Sequence, residues 1–247
     1  MICEILKGLN VADTKKTNKK IVKKESQGVL TKTNKIQMQM MQQKQTKILK
    51  VATDLFLKYG YQKTSLQMIV RQTGGSFATI YNIFGSKEDL FSKVMELNGG
   101  DLIKSLNEIY VQSMDSNLEV EKYFYNIGLH LIRETLDIKN IAFMRLMLLE
   151  CYDNPKFATI FNQTSNVLSC FFIKGIEAYK DKMRLDIDKK EMEECARILI
   201  HLVIEPYWMY SLMDSNYQAP KDSEIEYALK RAIKIFMLYL KHYKEIK

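Results

Sequence analysis

Cysteine, histidine and proline are scarce in this chain of 247 residues, and each scarcity removes a class of chemistry. The four cysteines, Cys3, Cys151, Cys170 and Cys195, are widely scattered and form no C-x-x-C pair. The three histidines, His130, His201 and His242, do not cluster at metal-ligand spacing. Neither a metal site nor a disulfide scaffold is expected. The thiols read as buried and reduced, with a redox-sensing thiol as the alternative. There is no G-x-S-x-G, no P-loop and no dinucleotide fingerprint, so no catalytic residue and no cofactor is expected. Long apolar runs are also lacking, since Arg145 interrupts one and Glu205-Pro206 another. That leaves nothing long enough to span a bilayer. The N-terminal MICEILKGLN carries an early acid and too short an apolar core for a secretory signal. The expected location is the cytoplasm, with no membrane partner.

With only 3 Pro and 10 Gly, little interrupts helix, and no alternating β-branched run bounded by turn residues reads as a strand. An all-α fold is expected. A hydrophobic content of 47% is that of a globular protein, and the length allows one large or two small domains.

The net charge of +8 is unevenly placed. Residues 1–41 hold nine Lys against three acids (+6), residues 42–95 hold eight Lys and Arg against three acids (+5), and the remainder is at −3. A basic N-terminal third suggests a polyanion-binding end joined to a part that does not bind polyanions. A solvated lysine-rich surface is the plainer alternative.

Three segments follow. Residues 1–41 lack helical periodicity and are rich in Lys, Thr, Asn and Gln, which predicts a disordered basic arm able to add phosphate contacts. Translation starting at Met38, Met40 or Met41 is the other reading. Residues 42–95 hold four short helical patterns. In the first, Ile48, Leu49, Ala52, Leu55 and Phe56 recur at helical spacing up to Gly60. Ser65 is the expected N-cap of the second, Gly74-Gly75 the turn, and Ser76 the N-cap of a third that ends near Phe84. Ser86 caps a fourth, with Glu88 and Asp89 in its first turn. Two short helices across such a turn make a helix-turn-helix, which places its second helix in the major groove of DNA.

The expected core of this unit is Leu55, Phe56, Leu66, Ile69, Val70, Ile80, Tyr81 and Phe84, leaving Phe77, Ala78, Thr79 and Asn82 outward on the third helix. Thr can bond a base or meet the thymine methyl, Asn suits adenine, and Lys87 beside free backbone N–H groups suits a phosphate.

Residues 96–247 are predicted to form a helical ligand-binding and dimerisation domain, with segments at about 118–136, 138–152, 155–184, 188–215 and 220–245. Asn98-Gly99-Gly100 either breaks the fourth helix or leaves a soft joint, a candidate hinge. Pro206 stands inside a helical pattern and should kink it. Phe124, Phe143, Met147 and Phe172 are adaptable apolar groups that fit either a core or an apolar pocket. His201, Glu205 and Trp208 recur at i, i+4 and i+7, where they would orient an amphipathic ligand or, alternatively, satisfy one another on a kinked interface helix. An apolar stripe at Ile225, Leu229, Ile233, Phe236 and Leu240 suits helix packing.

GYxxTS at 60–65 followed by GGSFATIYNIFGSKEDL at 74–90 resembles the TetR/AcrR family of bacterial repressors, whose pattern is close to GVSxGTLYxHFxSKExL. The resemblance covers about 50 residues, roughly a fifth of the chain. It implies an all-α homodimer that binds palindromic double-stranded DNA and is released by a small-molecule inducer. It also implies that the last two helices pair with those of a second subunit. The implied DNA contacts fall on Ser65 and Gln67, then Phe77, Ala78, Thr79, Tyr81 and Asn82, with the cap Ser76 beside them and Lys87 following. Gly75, Ala78 and Ile83 replace the usual valine, glycine and histidine, and Gly75, if helical, would loosen the third helix by about 1 kcal/mol. The Gly-Gly-Ser turn with Glu205-Pro206-Tyr207 is most similar to the CmeR-type repressors of multidrug efflux pumps. Readings from other classes are a helical small-molecule-binding or enzymatic protein with an incidental basic end, and a non-specific nucleoid protein.

Overall fold

The computed structural model describes residues 32–246, and every regular element among them is an α-helix. These residues divide into two compact units, one ending at Val94 and the other starting at Met95.

The first unit holds α1 (Lys32–Lys63), α2 (Leu66–Thr73), α3 (Phe77–Phe84) and the start of α4 (Lys87–Asp115). Helix α1 begins at Lys32, so residues 32–41 of the expected arm are helical, while residues 1–31 lie outside the described residues. Lys, Gln and Met are good helix formers without any apolar stripe, and Met38, Met40 and Met41 are exposed accordingly. The run is interrupted at Gly60, whose φ of 78° and ψ of 166° are not helical. Just beyond, the buried Thr64 hydroxyl lies 2.7 Å from Gly60 O and 3.1 Å from Leu55 O, fastening the end of α1 to the entry of α2.

Ile48, Ala52, Leu55 and Phe56 of α1 are buried, as are Leu66 and Ile69 of α2, Ile80 of α3, and Leu90, Phe91 and Val94 of α4. The rings of Phe56, Tyr61 and Phe91 meet pairwise at 4.9–5.8 Å. Tyr81 departs from the expected core: it is 54% exposed, because Ile80 takes the inward position on a helix of only two turns. Val70 and Phe84 are half-buried at the edge.

In the second unit α5 (Val120–Leu136) runs through the core and packs against α6 (Ile138–Asp153), α7 (Pro155–Met183), α8 (Lys189–Met213) and α9 (Asp222–Lys241), and a short α10 (Tyr243–Ile246) follows. Tyr123, Phe124, Ile127, Leu131 and Ile132 of α5 are buried among Phe171, Phe172, Leu199, Val203, Leu229 and Phe236. A side chain at Gly175 would overlap the Tyr123 ring, so glycine sets the close approach of α7 to α5.

Helix α4 runs unbroken through Gly99 and Gly100. The expected joint is instead a packing glycine: a Cβ at Gly99 would come within 2.8 Å of Thr164 on α7. Helix α8 likewise continues through Pro206. On α6, Arg145 donates to the carbonyls of Ser211 (2.6 Å), Leu212 (2.9 Å) and Asp214 (2.7 Å), which closes the C-terminus of α8.

The stripe Ile225, Leu229, Ile233, Phe236 and Leu240 of α9 is buried within its own chain against α5 and α8, so it is not left for a second subunit. The exposed apolar residues of α8 and α9 are Ile198, Met209, Tyr210, Met213, Tyr227, Ile235 and Leu238.

Candidate nucleic-acid interface

Local capping builds the helix-turn-helix. Ser65 Oγ accepts from the N–H of Met68 at 3.2 Å and starts α2. Gly74, at φ 71° and ψ 23°, ends α2 in the left-handed region, and its N–H donates to Val70 O. Ser76 Oγ then accepts from the N–H of Thr79 at 3.2 Å and starts α3. Ser86 Oγ accepts from Asp89 N–H at 2.9 Å and donates to Asp89 Oδ2 at 2.6 Å, which fixes the start of α4. Gly75 lies in the turn and outside either helix, so the loosening expected from a helical glycine does not apply.

The residues expected to contact DNA fall on one small, accessible part of the unit. Ser65, Gln67, Ser76, Phe77, Ala78, Tyr81 and Asn82 are exposed, and Thr79 is half-buried. Thr79 Oγ1 lies 3.1 Å from Ser76 Oγ and accepts from Lys44 Nζ at 3.4 Å. Lys87 is half-buried, with Nζ 4.3 Å from the centroid of the Tyr61 ring and donating to Gln62 O at 3.4 Å. Lys47 Nζ donates to Thr73 O at 3.0 Å and so caps the C-terminal end of α2. Sequence reasoning missed Lys44 and Lys47. A lysine in the middle of a long helix gives no signal of which turn it will reach.

The seven residues expected at a ligand site do not come together. Phe124 and Phe172 stack at 6.4 Å in the core of the second unit, and Phe124 meets Phe236 edge-on at 5.5 Å. Phe143 and Met147 are buried on α6. His201 and Glu205 are exposed and Trp208 is half-buried. Helix α8 turns Leu199, Val203 and Tyr207 inward, and two residues from Val203 is about 200° around a helix. His201 and Glu205 therefore point away from the aromatic core that holds Phe124 and Phe172. His130 instead meets a polar partner inside the unit, with Nε2 2.7 Å from Ser105 Oγ. Tyr123 is fully buried and donates to Phe171 O at 2.6 Å, and burial pushes its phenol well above the ordinary range.

A capped, basic helix-turn-helix on an all-helical body defines a DNA-binding transcriptional regulator. Residues 48–94 match the model of the tetR family of bacterial regulatory proteins, so the chain carries a TetR-type helix-turn-helix unit of a transcriptional regulator. Among curated relatives, the uncharacterised HTH-type transcriptional regulator YezE of Bacillus subtilis is 23% identical over 155 residues, covering 62% of this chain and 78% of that protein. Solved structures share the fold. A candidate TetR-family transcriptional regulator from Mesorhizobium loti aligns with a TM-score of 0.71 at 17% identity, over 80% of this chain and 96% of that one. The flavonoid-responsive regulator FrrA aligns with a TM-score of 0.63 at 20% identity, over 79% of this chain and 96% of that one. Among the described residues no helix is long and apolar enough to cross a membrane.

Proposed function

We propose that two copies of this chain bind a palindromic operator as a homodimeric repressor and that a small apolar or amphipathic inducer, held in the C-terminal unit, releases them. One observation carries the reading: α3 buries Ile80 at 1% exposure while Phe77, Ala78, Tyr81 and Asn82 face solvent. A capped two-turn helix, packed by one face and open on the other, suits entry into the major groove. Asn82 matches the adenine edge and Thr79 offers a methyl or a hydroxyl, while Lys87 and the exposed Ser65 and Gln67 suit the phosphate backbone.

The exposed Ile198, Met209 and Met213 of α8 and Tyr227, Ile235 and Leu238 of α9 support pairing through these two helices. They recur at spacings of three and four residues or small sums of them, which lays each set along one side of its helix. Two recognition helices about 34–36 Å apart would then read both halves of a palindrome. The turn resemblance favours a multidrug efflux operon as the regulated target.

The test is a titration of the protein against DNA from upstream of its own gene, at rising salt, with a random duplex as competitor. Specific, salt-sensitive retention is the expected result. Equal affinity for the random duplex would instead mark a non-specific nucleoid protein, and no binding would overturn the reading.

A further inference from the structure

We propose that Lys44 is a phosphate-contacting residue of the DNA-reading surface and that the lack of a branched side chain at position 75 leaves room for it there. The proposal rests on the DNA-binding reading above and adds to it a residue outside the resemblance to the family motif. Lys44 belongs to α1, yet its Nζ reaches across to Thr79 Oγ1 on the first turn of α3. At 3.4 Å, with both residues near the surface, this bond is long for a charged donor. It places the ammonium beside Thr79 while leaving it able to turn toward a stronger acceptor. Lys47, three residues on, has a shorter bond of 3.0 Å to Thr73 O and serves the end of α2.

The route of the Lys44 side chain runs over the turn. A Cβ built on Gly75 would stand 4.0 Å from Lys44 Cε and 3.8 Å from Thr73 Oγ1, already in van der Waals contact. An alanine therefore fits, whereas the two γ-carbons of the valine usual in the family would compete with the lysine for its place. Gly75 is not among the glycines with positive φ, which are Gly60, Gly74 and Gly85, so the turn itself does not require glycine at 75. Lys44 borders the space that a larger, branched side chain at 75 would fill. In the family pattern a valine closes this turn; here a cation from α1 lies over it, next to the recognition helix.

The experiment uses the full chain and the duplex that the wild type retains from its own upstream DNA, with affinity measured by fluorescence anisotropy at several salt concentrations. Each phosphate contact adds about 0.9 to the salt slope. Lys44→Ala in a homodimer should therefore make the slope shallower by about two and weaken binding roughly tenfold or more at 0.1 M salt, while Lys44→Arg keeps both. Gly75→Val should lose affinity as Lys44→Ala does, and the double variant should be no weaker than either single one. Gly75→Ala should bind as the wild type. If Lys44→Ala matches the wild type in affinity and slope, or loses affinity only in step with a lowered melting temperature at unchanged slope, the phosphate role is overturned. Additive losses in the double variant would overturn the seating by Gly75. If the wild type itself retains no specific duplex, the failure is that of the DNA-binding reading.

Discussion

Lys87 Nζ sits 4.3 Å from the centroid of the Tyr61 ring, so the first residue of α4 is held by the tyrosine of the GY pair that ends α1. The cation is half-buried and also donates to Gln62 O at 3.4 Å. Lys87→Ala should weaken binding to all duplexes alike and make the salt slope shallower by about two in a dimer. It should also cost about 0.5–1 kcal/mol of stability through the lost cation–π contact. Tyr61→Leu should cost more stability, because the ring also meets Phe56 and Phe91, but leave the salt slope close to wild type. Anisotropy titrations and denaturant melts on the two variants separate these roles.

Ser76 caps the short helix on which Asn82 lies, and the two should fail differently. Ser76→Ala removes the oxygen that accepts the N–H of Thr79, and loss of such a cap costs about 1 kcal/mol. Amide exchange across 77–84 should quicken. Asn82→Ala leaves the helix intact and should relax sequence preference at one base pair per half-site by about 1–3 kcal/mol. Competition against single-base operator variants reads this directly. Unchanged discrimination at every position would remove Asn82 from the reading surface.

Leu229 and Leu238 are both leucines of α9, one at 1% exposure and the other at 60%. Leu229→Ala should destabilise the chain by about 2–5 kcal/mol, the cost of a core cavity. Leu238→Glu should leave the fold in place and shift the protein toward monomer, with weaker operator binding as the consequence. Sedimentation with circular dichroism on both variants checks the pair. A Leu238→Glu protein that stays dimeric would place the subunit contact elsewhere.

Tyr239 offers a pH test. Burial first, and then the neighbouring Cys195 thiol, push its phenol from 10.0 to about 12. A folded pKa above the unfolded one means that the neutral phenol is favoured by folding. This stabilising share is complete below pH 10.0 and lost as the pH rises through about 12. Tyr239→Phe should therefore flatten the fall of the melting temperature across that window. An identical alkaline profile in wild type and variant would count against the coupling.

The parts of the fold readable from sequence were those decided by neighbours in the chain. Ser65, Ser76 and Ser86 cap α2, α3 and α4 because a hydroxyl three residues ahead of an N–H needs no distant partner. The stripe on α9 was also visible, but periodicity identifies an inward face and not the body that covers it. That face met α5 and α8 of the same chain. His201 and Glu205 share one side of α8 by their spacing, and the rotation of the helix, fixed by Leu199 and Val203, turns them outward. Gly99-Gly100 read as a joint because glycine weakens an isolated helix. What overrides this is Thr164, whose close approach needs the missing side chain. Residues 32–41 lack an apolar stripe and so read as an arm, although their composition still favours helix.

The grip of Arg145 on the end of α8 has a mechanical consequence. Three carbonyls at 2.6–2.9 Å converge on one guanidinium, and each belongs to a different residue of the last turn or just past it. A single side chain thus ties α6 to the last turn of α8, so a displacement of either helix would strain three charge-assisted bonds at once. The outward Met209, Tyr210 and Met213 lie on or beside that tethered turn.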